Sequence, residues 1–301
     1  MGGPIRHWLV VSSAVFFAAS GGLAKWATLN YHAPAWQIAL SRYVVGLVLV
    51  LSYVAITGKQ VRPRERGAVF LRAVFNAAAI LLFYAALQHT TLTNATLLNL
   101  TYPVFVAILG PVLLKEHLSR GGMFTLAAAL LGVCLVIDPE FGRGVNRGDI
   151  MGLFCGISAA GAVLMLRRAR RVNDSITILA VFYVVGTAIT APVVLVTEGS
   201  NWSAPCLAVL GVGSFLGVLG QFALTLGIGH VTAAEASIVS TSRAIFATTI
   251  GVVFFSEVIG LNVLVGGTLV IGSVIVLSRL SSRSMGMAGD SSEASARQDR
   301  G

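Results

Sequence analysis

The chain has 301 residues, of which 56% are hydrophobic and 11% charged, with a formal net charge of +9 and a mean hydropathy of +0.85. Soluble domains carry about 25% charged residues, so a water-soluble globule is excluded and lipid must be the main solvent. The basic residues sit in short segments between apolar runs, which excludes a basic nucleic-acid-binding domain and makes membrane topology the source of the charge.

Taking about 20 mostly apolar residues per crossing, the sequence predicts an all-α integral membrane protein with ten transmembrane helices. They lie at 8–29, 36–57, 68–88, 91–114, 121–138, 149–166, 175–197, 204–226, 232–255 and 261–279. The basic start of span 1 and its FFAAS imitate a cleavable signal peptide. Removing it would leave nine spans and reverse the loop charges, so it is read as an uncleaved span. Lys25, near the outer end of span 1, and Arg72, a turn inside the cytoplasmic end of span 3, are expected to snorkel. Arg42 enters span 2 six residues from its outer end, where it either lines the outer pathway or makes an interhelical bond.

Span 4 is polar, with Asn94, Thr96, Asn99, Thr101 and Tyr102 ahead of Pro103 and Pro111. Pro103 cannot donate to the Asn99 carbonyl, and a carbonyl freed at membrane depth needs protein, water or ligand to satisfy it. Two readings follow: a kinked, well-packed helix, or a cavity wall whose kink assists gating. Span 6 places Gly148, Gly152, Gly156 and Ala160 on one face, a stripe that permits close helix approach within the chain or at a dimer seam. Cys134, Cys155 and Cys206 are widely spaced and form neither a disulfide framework nor a zinc motif.

Alternating spans place Lys59, Arg62, Arg64, Arg66, Lys115, Arg120 and the RRARR cluster at 167–171 on one face, whereas Arg143 and Arg147 fall on the other. The positive-inside rule then puts both termini in the cytoplasm of a cell with the protein in its inner membrane. The polar segment 281–301 is expected to be a disordered cytoplasmic tail.

The second half echoes the first at an offset of 140 to 141 residues. YVVG recurs at Tyr43 and Tyr183, and His89, Thr91, Ala95, Gly110 and Glu116 match His230, Thr232, Ala236, Gly251 and Glu257. Five spans are an odd number, so the second copy (141–280) enters the membrane inverted relative to the first (1–140). Inverted repeats allow two mirror-related openings around a midplane site.

With TNATLLNLTYPVFVAILGPVLLKE and EASIVSTSRAIFATTIGVVFFSE each running to a terminal glutamate, and with Ser41-Arg42 early in span 2, the chain resembles the EamA-type domain of the drug/metabolite transporter superfamily. The resemblance covers about residues 8–279. It implies a ten-helix bundle and a transporter, frequently an exporter of amino acids or related metabolites.

Span 9 carries the unusual charge. Opposite Asn94, Asn99, Thr101 and Tyr102 of span 4 it has Glu235, Ser240, Ser242 and Arg243. Arg243 is about 16 Å deep at 1.5 Å per residue, and a midplane arginine costs roughly 2.5–3.5 kcal/mol on insertion scales. It is expected to meet a substrate anion in a central cavity, or else freed carbonyls or an ion pair. Glu235 is a candidate for proton coupling or substrate-ammonium binding, against a solvated helix-start carboxylate. Glu116, Glu257 and Pro103 are candidate gating positions, although the glutamates also read as helix-end groups. Asn76, Tyr84 and Gln221 are candidate cavity liners; Tyr43 and Tyr183 read as packing; His89 and His230 read as loop anchors.

No GxxxxGK[ST], HExxH or GxSxG motif occurs, so neither an ATPase nor an intramembrane hydrolase is indicated. No cofactor or metal is expected. The expected partners are a small-molecule substrate, the bilayer and a candidate coupling proton, in a monomer or homodimer. An exporter of an amino acid or related carboxylate is the leading reading. Uptake of a metabolite or vitamin is the alternative, and a non-transporting scaffold or receptor the reading from another class.

Overall fold

The structure is a computed structural model and describes residues 3–106, 108, 120–137, 145–227 and 233–276. Helices α1 (Gly3–Tyr31), α2 (Ala35–Thr57), α3 (Arg66–His89), α4 (Leu92–Asn99) and α5 (Arg120–Ile137) are followed by α6 (Arg147–Arg170), α7 (Ser175–Val196), α8 (Ala204–Gly227) and α9 (Ala233–Phe255). The last described helix is α10 (Leu261–Val276). By length and composition α2, α3, α6, α7 and α8 can each cross a membrane, and 127–136, 243–255 and 261–276 are shorter apolar helices. Among the described residues no strand occurs.

Local chemistry sets the boundaries. Gly58 takes the left-handed conformation (φ 63°) that ends α2, a geometry glycine adopts without a Cβ penalty. Asn146 accepts from the Gly148 amide at the start of α6, and Asp174 accepts from the Ile176 and Thr177 amides at the start of α7; both are side-chain N-caps. Asp149 in the first turn of α6 and Arg167, Arg168 and Arg170 in its last complement the helix dipole.

Span 4 is broken rather than continuously kinked. Helix α4 stops at Asn99 and helix resumes over 102–106. With no Pro103 amide to bond the Asn99 carbonyl, the Thr101 hydroxyl turns back 2.6 Å onto the Leu98 carbonyl, and a helical turn is lost.

The helices pack in matching sets. If α1 is exchanged with α6, α2 with α7, α3 with α8 and α4 with α9, then α1·α8 becomes α6·α3, α1·α9 becomes α6·α4, and α2·α8 becomes α7·α3; all six are packing pairs. The pairs α2·α7 and α4·α9 also occur and map onto themselves. Individual contacts follow the same exchange. A Cβ on Gly46 would collide with the Tyr183 ring, and one on Gly186 would collide with the Tyr43 ring. Similarly, a Cβ on Gly132 would lie 2.7 Å from the Gly266 carbonyl oxygen, and one on Gly266 would lie 2.7 Å from that of Gly132. Bare glycine backbone is what permits such approach.

Loops pair at both ends. On one side Asn173 receives the Arg64 amide at 2.7 Å and donates to its carbonyl at 2.8 Å, beside the ion pairs Lys59–Asp174 (2.9 Å) and Arg168–Glu65 (3.0 Å). Burial opposes ionisation of Asp174, but Lys59 and the Thr177 hydroxyl and amide outweigh it and hold the carboxyl at about 2. At the other end Gln37 donates to the Asn201 carbonyl at 2.5 Å and accepts its amide at 2.9 Å.

One large apolar core joins α1, α2, α3, α6, α7 and α8. A second brings Leu97, Leu98 and Leu100 against Val133 and Val136 of α5, Ala244 of α9, and Val263 and Val270 of α10. The surface remains strongly apolar, with Val48, Ile56, Phe124, Leu195 and Val253 exposed, as lipid contact requires.

The glycine stripe of α6 is spent within the chain. Gly148 abuts the His89–Thr90 backbone, Gly152 abuts Leu98, and a Cβ on Gly156 would lie 2.7 Å from the Leu98 carbonyl oxygen. Two expectations are corrected. Lys25 does not snorkel: its ammonium donates to the Leu87 and Thr90 carbonyls at 2.6 and 2.7 Å, where the end of α3 leaves carbonyls without helical partners. Arg72 does not snorkel either. It is 3% exposed, its guanidinium lies 5.5 Å from the Phe182 ring centroid, and its Nε and Nη1 have no hydrogen-bond partner.

Candidate functional site

The centre is assembled around one aromatic ring. The guanidinium carbon of Arg42 (α2) and that of Arg243 (α9) each lie 5.3 Å from the centroid of Phe17 (α1), so the two cations cannot be further apart than twice that distance. Arg243 also lies 5.5 Å from the Phe83 ring centroid of α3. Such contacts contribute about 0.5–2 kcal/mol each, more when desolvated.

Neutral groups hold both arginines. Arg243 Nη1 donates to Asn99 Oδ1 at 3.0 Å. The other end of that amide donates to Cys155 Sγ at 2.9 Å, and the thiol donates to the Ala79 carbonyl at 3.1 Å. This chain fixes which way Asn99 faces and presents its oxygen to Arg243. Arg42 Nη1 donates to the Tyr84 hydroxyl and Nη2 to the Gly217 carbonyl, both at 3.2 Å, while its buried Nε has no partner. Close approach of α8 depends on Gly217, where a Cβ would lie 2.7 Å from Ser20 Oγ and 3.2 Å from Arg42 Cζ. Next to Tyr84, a small recess of about 10 Å³ is lined by Ser20, Ile38, Tyr84, Leu210 and Ser214 among others.

Among the described side chains, which do not include that of Glu235, no carboxylate is within ion-pair distance of Arg42 or Arg243. Two unit charges at the largest separation the ring allows repel by at least about 1.5 kcal/mol at an effective dielectric of about 20. Hydrogen bonds to neutral oxygens orient these cations without cancelling their charge. The centre is therefore electropositive.

Above it, Glu257 reaches from beyond α9 to the start of α4. Its carboxylate accepts from the Leu92 amide at 2.6 Å, the Thr93 amide at 3.2 Å and the Thr93 hydroxyl at 2.7 Å. Thr91 is the N-cap of α4 and accepts from the Asn94 amide at 3.0 Å; Glu257 is a further acceptor from a distant segment, favourable because a helix start presents free amides to an anion. Thr90 at the same end donates to buried Asp149 at 2.7 Å.

Of the residues singled out from sequence, Arg42, Tyr84, Asn99 and Arg243 meet here. Tyr102 packs at the edge of the second apolar core, and Pro103 follows the break in span 4. Gln221 bonds Thr225 within its own helix at 3.3 Å, and Asn76 Oδ1 is buried without a partner; no described contact joins either to the arginine pair. Glu235, Ser240 and Ser242 lie on α9 with their side chains outside the described set, and Glu116 and His230 lie outside the described residues. His89 offers its backbone carbonyl to Asn146 at 2.7 Å, an anchoring role. Phe17, Phe83 and Cys155 were not singled out as site residues. A phenylalanine or cysteine in an apolar span carries no signal of its own, and only its distance from a cation reveals it.

Apolar helices, an apolar surface and a buried cationic centre define a multi-pass membrane protein. The sequence profile of the EamA-like transporter family matches residues 5–138 and again 146–279. The chain belongs to that family, within the drug/metabolite transporter superfamily, and is a transport protein rather than an enzyme. It is 25% identical over 274 residues to the pseudopaline exporter CntI of Pseudomonas aeruginosa, covering 90% of this chain and 95% of that one. It is 28% identical over 268 residues to solute carrier family 35 member G1 of Mus musculus (83% and 72% covered), and 25% identical over 214 residues to a riboflavin transporter of Brucella anthropi (71% and 75%). A solved crystal structure shares the fold, with a TM-score of 0.64 at 17% identity over 94% of this chain and 99% of that one.

Proposed function

We propose that the protein is a ten-span secondary transporter that exports an amino acid or related carboxylate-bearing metabolite across the inner membrane, with both termini cytoplasmic. The observation that carries the substrate reading is Arg243, a cation within a helix of an apolar bundle whose one described side-chain hydrogen-bond acceptor is the neutral Asn99. Intramembrane ionisable groups of this kind mark substrate or ion pathways.

The architecture we propose is two inverted five-helix repeats, 1–140 and 141–280. It is supported by the packing pairs that survive exchange of the halves, by the reciprocal Tyr–Gly contacts and by the double family match. In such a design the halves rock about a central site. Glu257 would latch the outer end by capping α4 in the state seen here, and would release it when the outer side opens. Export rather than uptake is favoured by similarity to a named exporter along nearly the whole of both chains.

The test is a thermal-shift screen of purified protein against carboxylates, amino acids, nucleosides and vitamins, repeated with Arg243→Gln. Flux is then measured in everted vesicles and intact cells. Stabilisation by carboxylates that disappears in the variant supports the reading; stabilisation that the variant retains overturns the role of Arg243. Uptake into intact cells without accumulation in everted vesicles overturns export.

A further inference from the structure

We propose that the Phe17-centred arginine pair is a two-point anion site, and that the transported molecule carries two anionic groups, one for Arg42 and one for Arg243. This rests on the transporter reading and narrows its substrate class from an amino acid or related carboxylate to a dianion, which sets simple zwitterionic amino acids aside.

The two cations are tied to one ring at the same distance of 5.3 Å and come from different halves of the chain. Among the described side chains each is held by neutral acceptors: Asn99 for Arg243, and Tyr84 and Gly217 for Arg42. The two bonds of Arg42 are 3.2 Å long, whereas hydrogen bonds from a guanidinium to a carboxylate run at about 2.7–2.9 Å. Its Nε is buried without a partner. An incoming carboxylate therefore replaces weak contacts with strong ones and supplies an acceptor that the fold leaves out.

A single anion would neutralise one guanidinium and leave the other facing it across the ring. A zwitterionic amino acid would fare worse, because its ammonium would enter a field of two cations. Among the described side chains no carboxylate stands within ion-pair distance of either arginine, and Phe17 and Phe83 already have guanidinium groups against them. The ordering this chemistry predicts is dicarboxylate above monocarboxylate above zwitterion.

The test uses full-length protein in nanodiscs and proteoliposomes, with succinate, glutarate and adipate as dianions, butyrate as monoanion and alanine as zwitterion. Thermal shift and counterflow are read for wild type, Arg42→Gln, Arg42→Lys, Arg243→Gln and Glu235→Gln. At least one dicarboxylate is expected to bind wild type about tenfold or more tightly than butyrate. That preference should fall towards parity in either glutamine variant and be partly restored in Arg42→Lys, which also serves if Arg42→Gln does not fold. Equal binding of butyrate or alanine to wild type, or a preference that survives loss of either arginine, overturns the proposal. So does a gain of dianion preference only in Glu235→Gln, since Glu235 would then be the missing counter-charge. Flux of a neutral or cationic compound sinks the two-anion site alone, whereas absence of binding and flux for every probe and for the wider screen takes the transporter reading with it.

Discussion

The tyrosine–glycine interlock between α2 and α7 and the arginine centre around Phe17 lie next to one another in the chain, since Arg42 immediately precedes Tyr43. They obey opposite rules. In the interlock each half supplies the same pair, Tyr43 with Gly46 and Tyr183 with Gly186, and each tyrosine lies on the other half's glycine. At the centre the correspondence fails: Arg42 is matched by Phe182, Tyr102 by Arg243 and Phe17 by Ser158 at the 140–141 offset. Packing between two similar surfaces is satisfied by matching complementary pairs. A charged site for one small molecule gains nothing from being duplicated. The matched pairs lie in the packing frame, and the mismatched ones lie at the candidate site.

The largest effect should come from breaking the interlock. Gly46→Val or Gly186→Val drives a side chain into a buried tyrosine ring, and overpacking costs about 1–3 kcal/mol or more. Loss of folded protein in fluorescence size-exclusion is expected. Tyr183→Ala should partly rescue the first variant and Tyr43→Ala the second; rescue by the wrong tyrosine would break the pairing inferred here.

Removing charge from the centre should separate function from folding. Arg243→Gln is expected to lower carboxylate affinity by about tenfold to a hundredfold, the equivalent of a charged hydrogen bond of about 1.5–3 kcal/mol, with thermal unfolding little changed. A collapse of the fold instead would mean that Arg243 is structural. Gly217→Ala tests the same centre from behind, because its methyl meets Ser20 and Arg42. A several-fold loss of affinity is expected, smaller than for either arginine.

At the start of α4, Glu257→Gln removes the charge but keeps the shape of the acceptor. A loss of about 0.5–2 kcal/mol, the usual range for an N-cap, should appear in thermal unfolding, together with faster labelling of a cysteine placed at Thr93. Unchanged labelling would exclude a latch.

The smallest effect is predicted at the loop pair. The Asp174 carboxyl is held at about 2, below its ordinary 3.8. A depressed carboxylate contributes stability in full above its unfolded value, and that contribution is lost as pH falls from 3.8 towards about 2. With side chains 38% and 44% exposed, the Lys59–Asp174 pair is well screened. Asp174→Asn should therefore change unfolding only slightly at neutral pH and flatten its dependence in that acid window.

Much of the frame was legible because lipid imposes length and composition on any helix that crosses it. α2, α3, α6, α7 and α8 fall where apolar runs were read, and Tyr43 and Tyr183 are packing residues, as the repeated YVVG suggested. Pro103 announced trouble in span 4, but whether the chain would kink or break depended on where the Leu98 carbonyl could find a donor. Lys25 and Arg72 were misread for one reason: snorkelling was inferred from distance to a span end, and in the fold carbonyls of α3 hold Lys25 and the Phe182 ring faces Arg72.

The sequence by itself determined the membrane class, the near-repeat of its halves and the singular charge of Arg243, because each depends on composition, period or register along one chain. Only the tertiary structure decided that Arg42 joins Arg243 at Phe17, that Asn99 is turned by Cys155, and that Glu257 caps a helix starting 165 residues before it. Those partners come from different helices, and the spacing between them is set by glycine-mediated approach of backbones, for which no local pattern exists to be read.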